Sequence, residues 1–95
     1  MKTTKQQLLT AAVEVAAETH YLKVNRDQIA ARVGVTSPLV QYYWKTMGHL
    51  KRAVVGEAIR CENLTVLAQA VGAGDSRVSD LDPELKSRVI DYISR

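Results

Sequence analysis

The stretch from Arg26 to Trp44 limits the possible folds more than any other part of the chain, because Ala30, Gly34 and Val40 fall where two short helices must touch, turn and touch again. Ile29 and Val33 are four apart and share a helix face, and Ala30 is small enough for a second helix to cross closely. Gly34 suits the end of the first helix, where a positive φ is often needed and a Cβ would clash. Thr36 has the hydroxyl of an N-cap, and Pro38 sits in a first helical turn, where a missing N–H costs nothing. Val40 and Trp44 then turn inward as core, while Ser37, Pro38, Leu39, Gln41 and Tyr42 face outward. The pattern predicts a helix-turn-helix, whose second helix enters the major groove of DNA.

Helical signals continue on both sides, and the expected class is all-α. Helix 1 is predicted over roughly Thr4 to Thr19, with Leu8, Leu9, Ala12, Val13 and Ala16 as its apolar face. Asn25 and Gln28 form a capping box for helix 2, which ends at Val33. Helix 3 runs from Ser37 to about Lys45, and a long helix 4 from Thr46 or Met47 to about Ala70. Gly72-Ala73-Gly74-Asp75-Ser76 interrupts the pattern, and Asp82-Pro83-Glu84 restarts it as helix 5, Pro83 to about Ser94. The organisation expected is a head over residues 1–46 and a tail over 47–95, in one compact domain.

Five segments carry a family resemblance. They are Lys5-Gln6-Gln7-Leu8-Leu9-Thr10-Ala11-Ala12, Glu18-Thr19-His20-Tyr21, Gln28-Ile29-Ala30-Ala31-Arg32-Val33-Gly34-Val35, Thr36-Ser37-Pro38-Leu39-Val40-Gln41-Tyr42-Tyr43-Trp44 and His49-Leu50-Lys51-Arg52-Ala53-Val54. From Lys5 to Val54 the chain thereby resembles the N-terminal DNA-binding domain of the tetracycline-repressor (TetR) family. His20 departs from the family's glycine at the corner after helix 1, at a helix end that prefers φ > 0. The resemblance implies a three-helix head in which Ser37, Pro38, Leu39 and Gln41 meet base edges, with Thr36 at the start of the recognition helix. Gln41 suits adenine, and Pro38 or Leu39 a thymine methyl. Tyr42, Tyr43, Lys45 and Thr46 are implied as phosphate contacts, together with Asn25 and Arg26 at the start of helix 2 and Met47 at the start of helix 4. Tyr43 fits core and phosphate contact equally well.

Charge agrees with a polyanionic partner. The net charge is +3, but residues 1–60 hold nine Lys/Arg, among them Lys2, against four acids, while residues 61–95 hold four against six. The basic half is the half with the motif, as phosphate binding requires. Hydropathy is ordinary for a globular chain (46% hydrophobic, mean hydropathy −0.13), with no apolar run of membrane-spanning length and no signal-peptide pattern. A cytoplasmic, nucleoid-associated location is therefore expected, in a bacterium or encoded by a phage or plasmid. Cys61 is the one cysteine, and His20 and His49 have no ligand-like spacing, so neither a metal nor a cofactor is expected. The chain shows no paired-carboxylate, Ser-His-Asp, Cys-His or Gly-rich phosphate pattern, and no enzyme is expected.

The tail carries a second pattern. Leu50, Val54, Glu57, Cys61, Leu64, Ala68 and Val71 recur at gaps of four and three, and helix 5 has its own stripe in Leu85, Val89, Ile90 and Ile93. Two apolar helices in so short a tail suggest a homodimer, with an interface of Cys61, Leu64, Leu67, Ala68, Val71, Leu85, Val89 and Ile93. The alternative is an intramolecular hairpin of the same two helices. Residues 61–95 leave no room for a small-molecule pocket of several hundred cubic ångströms. The function expected is a transcriptional regulator, a repressor at a palindromic operator, binding double-stranded DNA without an inducer. An architectural or accessory role in replication, partition or excision, or an adaptor recruiting another protein through helices 4 and 5, fits the same features.

Overall fold

A computed structural model describes residues 3–95; Met1 and Lys2, the latter among the basic residues counted above, lie outside the described residues. The described residues are all-helical, with no strand. Helix α1 (Thr4–Glu18) starts where the Thr3 hydroxyl accepts a hydrogen bond from the Gln6 N–H at 3.1 Å. Its buried residues, Leu8, Ala11, Ala12, Val13, Val15 and Ala16, form a wider stripe than the periodicity suggested. The corner that follows needs no left-handed residue. His20 is extended (φ −164°, ψ 142°), and its Nδ1 accepts from the Leu22 N–H at 3.1 Å, so histidine caps a short 3₁₀ turn, Tyr21–Lys23, without strain.

Helix α2 (Arg26–Val33) has the reciprocal capping box of Asn25 and Gln28, and Gly34 ends it at φ 84°, where the Ala30 carbonyl accepts from both Gly34 and Val35. Helix α3 (Ser37–Tyr43) has Thr36 at its N-cap, but the threonine side chain makes no capping bond. The backbone carbonyl of Thr36 instead accepts from the Leu39 N–H at 3.1 Å. Pro38 occupies the first turn, and Trp44 closes the helix earlier than Lys45.

Helix α4 (Met47–Arg60) is capped by the Thr46 hydroxyl, which accepts from the His49 N–H at 3.1 Å. It stops ten residues before the expected end at Ala70. Glu62 takes a left-handed φ of 56°, and the Asn63 side chain accepts from the Val66 N–H at 3.1 Å to start α5 (Leu64–Gly72). A non-glycine left-handed residue costs about 1–2 kcal/mol. Bending here turns Val66, Leu67 and Ala70 back onto the head, where all three are fully buried, and that burial exceeds the cost. The stripe from Leu50 to Val71 is consequently two stripes on two helices. Glu57, which interrupted it, is buried and accepts hydrogen bonds from Gln6 Nε2 (3.0 Å) and Arg60 Nε (2.7 Å).

After a 3₁₀ turn at Ser76–Val78, helix α6 (Pro83–Ile93), the fifth helix of the sequence reading, starts at Asp82, whose carboxylate accepts from the Glu84 and Leu85 N–H groups. It packs against α5 through Leu85 and Val89, with the Thr65 and Tyr92 hydroxyls 3.0 Å apart. One hydrophobic core thus runs from Leu8 in α1 to Val89 in α6, across the boundary drawn at 46/47. Polar bonds fasten the tail to the head. The Tyr21 N–H donates to Gln69 Oε1 (2.9 Å), Gln69 Nε2 donates to the Ala16 carbonyl (2.9 Å), and the Tyr21 hydroxyl donates to Asp75 (3.0 Å). Among the described residues no helix is long and apolar enough to cross a membrane.

Candidate nucleic-acid interface

The starts of α2, α3 and α4 converge on a cleft of about 280 Å³, lined by Asn25, Arg26, Asp27, Ser37, Pro38, Gln41 and Met47. Local chemistry explains the convergence. The left-handed Gly34 reverses the chain within three residues, so α3 packs on α2 with Val40 fully buried, as Trp44 nearly is, and its other side faces solvent. Of the twelve residues expected to meet DNA, Asn25, Arg26, Ser37, Pro38, Gln41 and Met47 line this cleft. Tyr42 stands beside it at 72% exposure, and its ring meets that of Tyr43 edge-on with centroids 5.2 Å apart. Leu39 is half-buried; Thr36, Lys45 and Thr46 are exposed. Tyr43, open between two roles, is half-buried and packs against the core.

Two engagements within the cleft have no sequence signal. Arg26 does not project freely: its Nη2 donates to the Lys45 carbonyl at 3.1 Å, and its Nε is buried with no hydrogen-bond partner. This ties the start of α2 to the segment between α3 and α4. Asp27, absent from the expected set, accepts a hydrogen bond from the Ser37 hydroxyl across the turn. In sequence, Asp27 reads only as a first-turn acid that complements the helix dipole, and its pairing ten residues away depends on how closely α3 approaches.

Ion pairing sharpens the charge asymmetry. Arg32 pairs with Glu18, Arg60 with Glu57, Arg77 with Asp75, Arg88 with Glu62 and Arg95 with Asp91. Two 2.6 Å bonds from Arg32 hold the Glu18 carboxyl below the ordinary range. The cations without an acidic partner among the described residues are Lys5, Lys23, Arg26, Lys45, Lys51, Arg52 and Lys86, six of the seven lying at or before residue 52. The cations without acidic partners are therefore concentrated in the half of the chain that contains α2 and α3, and the tail arginines are paired.

The expected dimer surface is mostly internal. Leu67, Leu85 and Val89 belong to the chain's own core, and Leu64 and Ala68 are half-buried against it. The intramolecular packing of the last two helices, the alternative in the sequence reading, is the arrangement present. Cys61 is exposed at the end of α4, not a buried hydrophobe, because the α4–α5 bend carries it out of the stripe. Val71 and Ile93 remain on the surface. Comparison of the chain with family models, with curated proteins and with solved structures finds no match.

Proposed function

We propose that this chain is a sequence-specific double-stranded DNA-binding regulator of transcription, a repressor with a TetR-like helix-turn-helix head that occupies a palindromic operator as a homodimer. One juxtaposition carries the proposal. Helix α3 buries Val40 and leaves Gln41 and Tyr42 in solvent, within the half of the chain that holds six of the seven cations without acidic partners among the described residues. A helix wedged on one side and open on the other suits insertion into a groove about 12 Å wide, while a surplus of Lys and Arg in the same half of the chain suits phosphates. For the dimer, the remaining apolar surface is small: Val71, Ile90 and Ile93 are 38%, 52% and 49% exposed. A two-fold partner there would pair two heads, as the two halves of a palindromic operator require.

The test is titration of the full chain into labelled duplexes at several salt concentrations, read by fluorescence anisotropy. Binding should weaken steeply with salt, and duplexes recovered from a random pool should bind at least 10³-fold more tightly than bulk DNA. Gln41→Ala should weaken the selected duplex far more than random DNA. Lys45→Ala should weaken both alike and lower the salt slope by about one. Affinity independent of salt, or absent in roughly 50 mM salt, would end the DNA-binding reading.

A further inference from the structure

The outward side of α3 has an unusual charge composition for a base-reading helix, and this says which bases it takes. The exposed or half-buried residues Ser37, Pro38, Leu39, Gln41 and Tyr42 include no Lys or Arg. Guanine shows only acceptors, N7 and O6, in the major groove, and its usual partner is a bidentate Arg or Lys. The guanidinium lining the cleft beside Gln41, that of Arg26, is tethered by its Nη2 to the Lys45 carbonyl with Nε buried. The neighbouring formal charge has the opposite sign. Asp27 lines the same cleft as Gln41 and accepts a hydrogen bond from the Ser37 hydroxyl, which leaves both groups with only acceptor lone pairs to offer a base. Lone pairs repel guanine's acceptors and attract exocyclic amino groups. Adenine and cytosine both carry one, but only an A·T pair adds a methyl for Pro38, Leu39 and Tyr42 to cover.

We infer that this face selects A·T pairs and rejects guanine at the positions α3 covers: Gln41 bonds the N6 and N7 edge of an adenine, and Pro38, Leu39 and Tyr42 lie against thymine methyls. The inference rests on the DNA-binding reading above and adds to it the class of base pair recognised.

Selection of the full chain against a random duplex pool tests it directly. The enriched half-sites should be A·T at the contacted positions, and exchanging one such pair for G·C should weaken binding roughly tenfold or more. Deoxyuridine in place of a contacted thymidine, which removes only the methyl, should cost about fourfold. Gln41→Ala, at an exposed position where the fold is not at stake, should erase the adenine preference at one position and leave the others. Half-sites centred on guanine, or no response to the uridine exchange, would overturn the inference while leaving DNA binding intact. No salt-dependent binding to any duplex would remove the underlying reading, and the inference with it.

Discussion

Replacing Leu67 with alanine tests whether the tail is covered by its own chain or by a partner. Leu67 is fully buried in α5, within the core shared with α1 and α6. Truncation removes the equivalent of three methylenes, about 2.4 kcal/mol at 0.8 kcal/mol each, and the cavity left behind raises the loss to roughly 3–4 kcal/mol. A chain of 95 residues has about 5–14 kcal/mol of stability to lose from, so the variant should still fold at 25 °C. Urea unfolding followed by circular dichroism measures the difference, and an unchanged slope would confirm that both proteins expose the same surface. The decisive variable is protein concentration. If Leu67 is buried intramolecularly, the loss is the same at concentrations a hundredfold apart. If it is a dimer contact, the loss grows with concentration and nearly vanishes on dilution. A concentration-dependent loss, or one below about 1 kcal/mol, would refute the single-core account.

Three further outcomes are expected. Gly56 lies in the middle of α4, exposed and with open space where a Cβ would go, so Gly56→Ala should stabilise the protein by about 0.5–1 kcal/mol; Gly34→Ala, at φ 84°, should destabilise it by roughly 1–2 kcal/mol, and denaturant midpoints will show whether the signs differ. The Tyr21–Asp75 bond should have limits at both ends of the pH scale. For Asp75, burial alone would raise the carboxyl, but the Arg77 N–H, the Tyr21 hydroxyl and the Arg77 guanidinium outweigh it and hold the group below its ordinary value. Its contribution is present above about pH 4 and lost as pH falls through the lowered value, so the melting-temperature gap between wild type and Asp75→Asn should narrow in acid. Burial first, and Asp75 next, push the Tyr21 hydroxyl up, so its contribution is complete below about pH 10 and lost as pH rises through the raised value. A gap between wild type and Tyr21→Phe that stays constant into strong alkali would contradict this. Ile93→Asp, at an exposed position, should leave the fold unchanged and yield monomers by sedimentation; an unaltered dimer would place the two-fold contact elsewhere.

What was legible in the sequence is local. The box of Asn25 with Gln28, the left-handed Gly34, Pro38 in a first turn and the Asp82-Pro83 restart each act over three or four residues, where capping and backbone preferences decide the outcome. The inward positions Ile29, Ala30, Val40 and Trp44 followed from helical spacing for the same reason, as did the outward position of Gln41. His20 misled because glycine is only one way to leave a helix; an imidazole that caps the next turn is another.

The tail shows where local signals end. A stripe at gaps of four and three says that one side will be buried, but not by what, since an apolar side chain gains as much from its own chain as from a second copy. The break at Asn63 was not foreseen, because the reward for bending there lies far off in sequence, in the burial of Val66, Leu67 and Ala70 in the common core. The bonds of Tyr21 to Gln69 and Asp75, of Arg26 to the Lys45 carbonyl and of Asp27 to Ser37 likewise exist only once distant segments meet. The amino-acid sequence by itself determined the helices of the head, the turn between α2 and α3 and the side of α3 that faces solvent. Only the tertiary structure decided that α5 and α6 close the chain's own core and that the cleft beside Gln41 holds a carboxylate, because non-local burial and pairing depend on where the whole chain comes together.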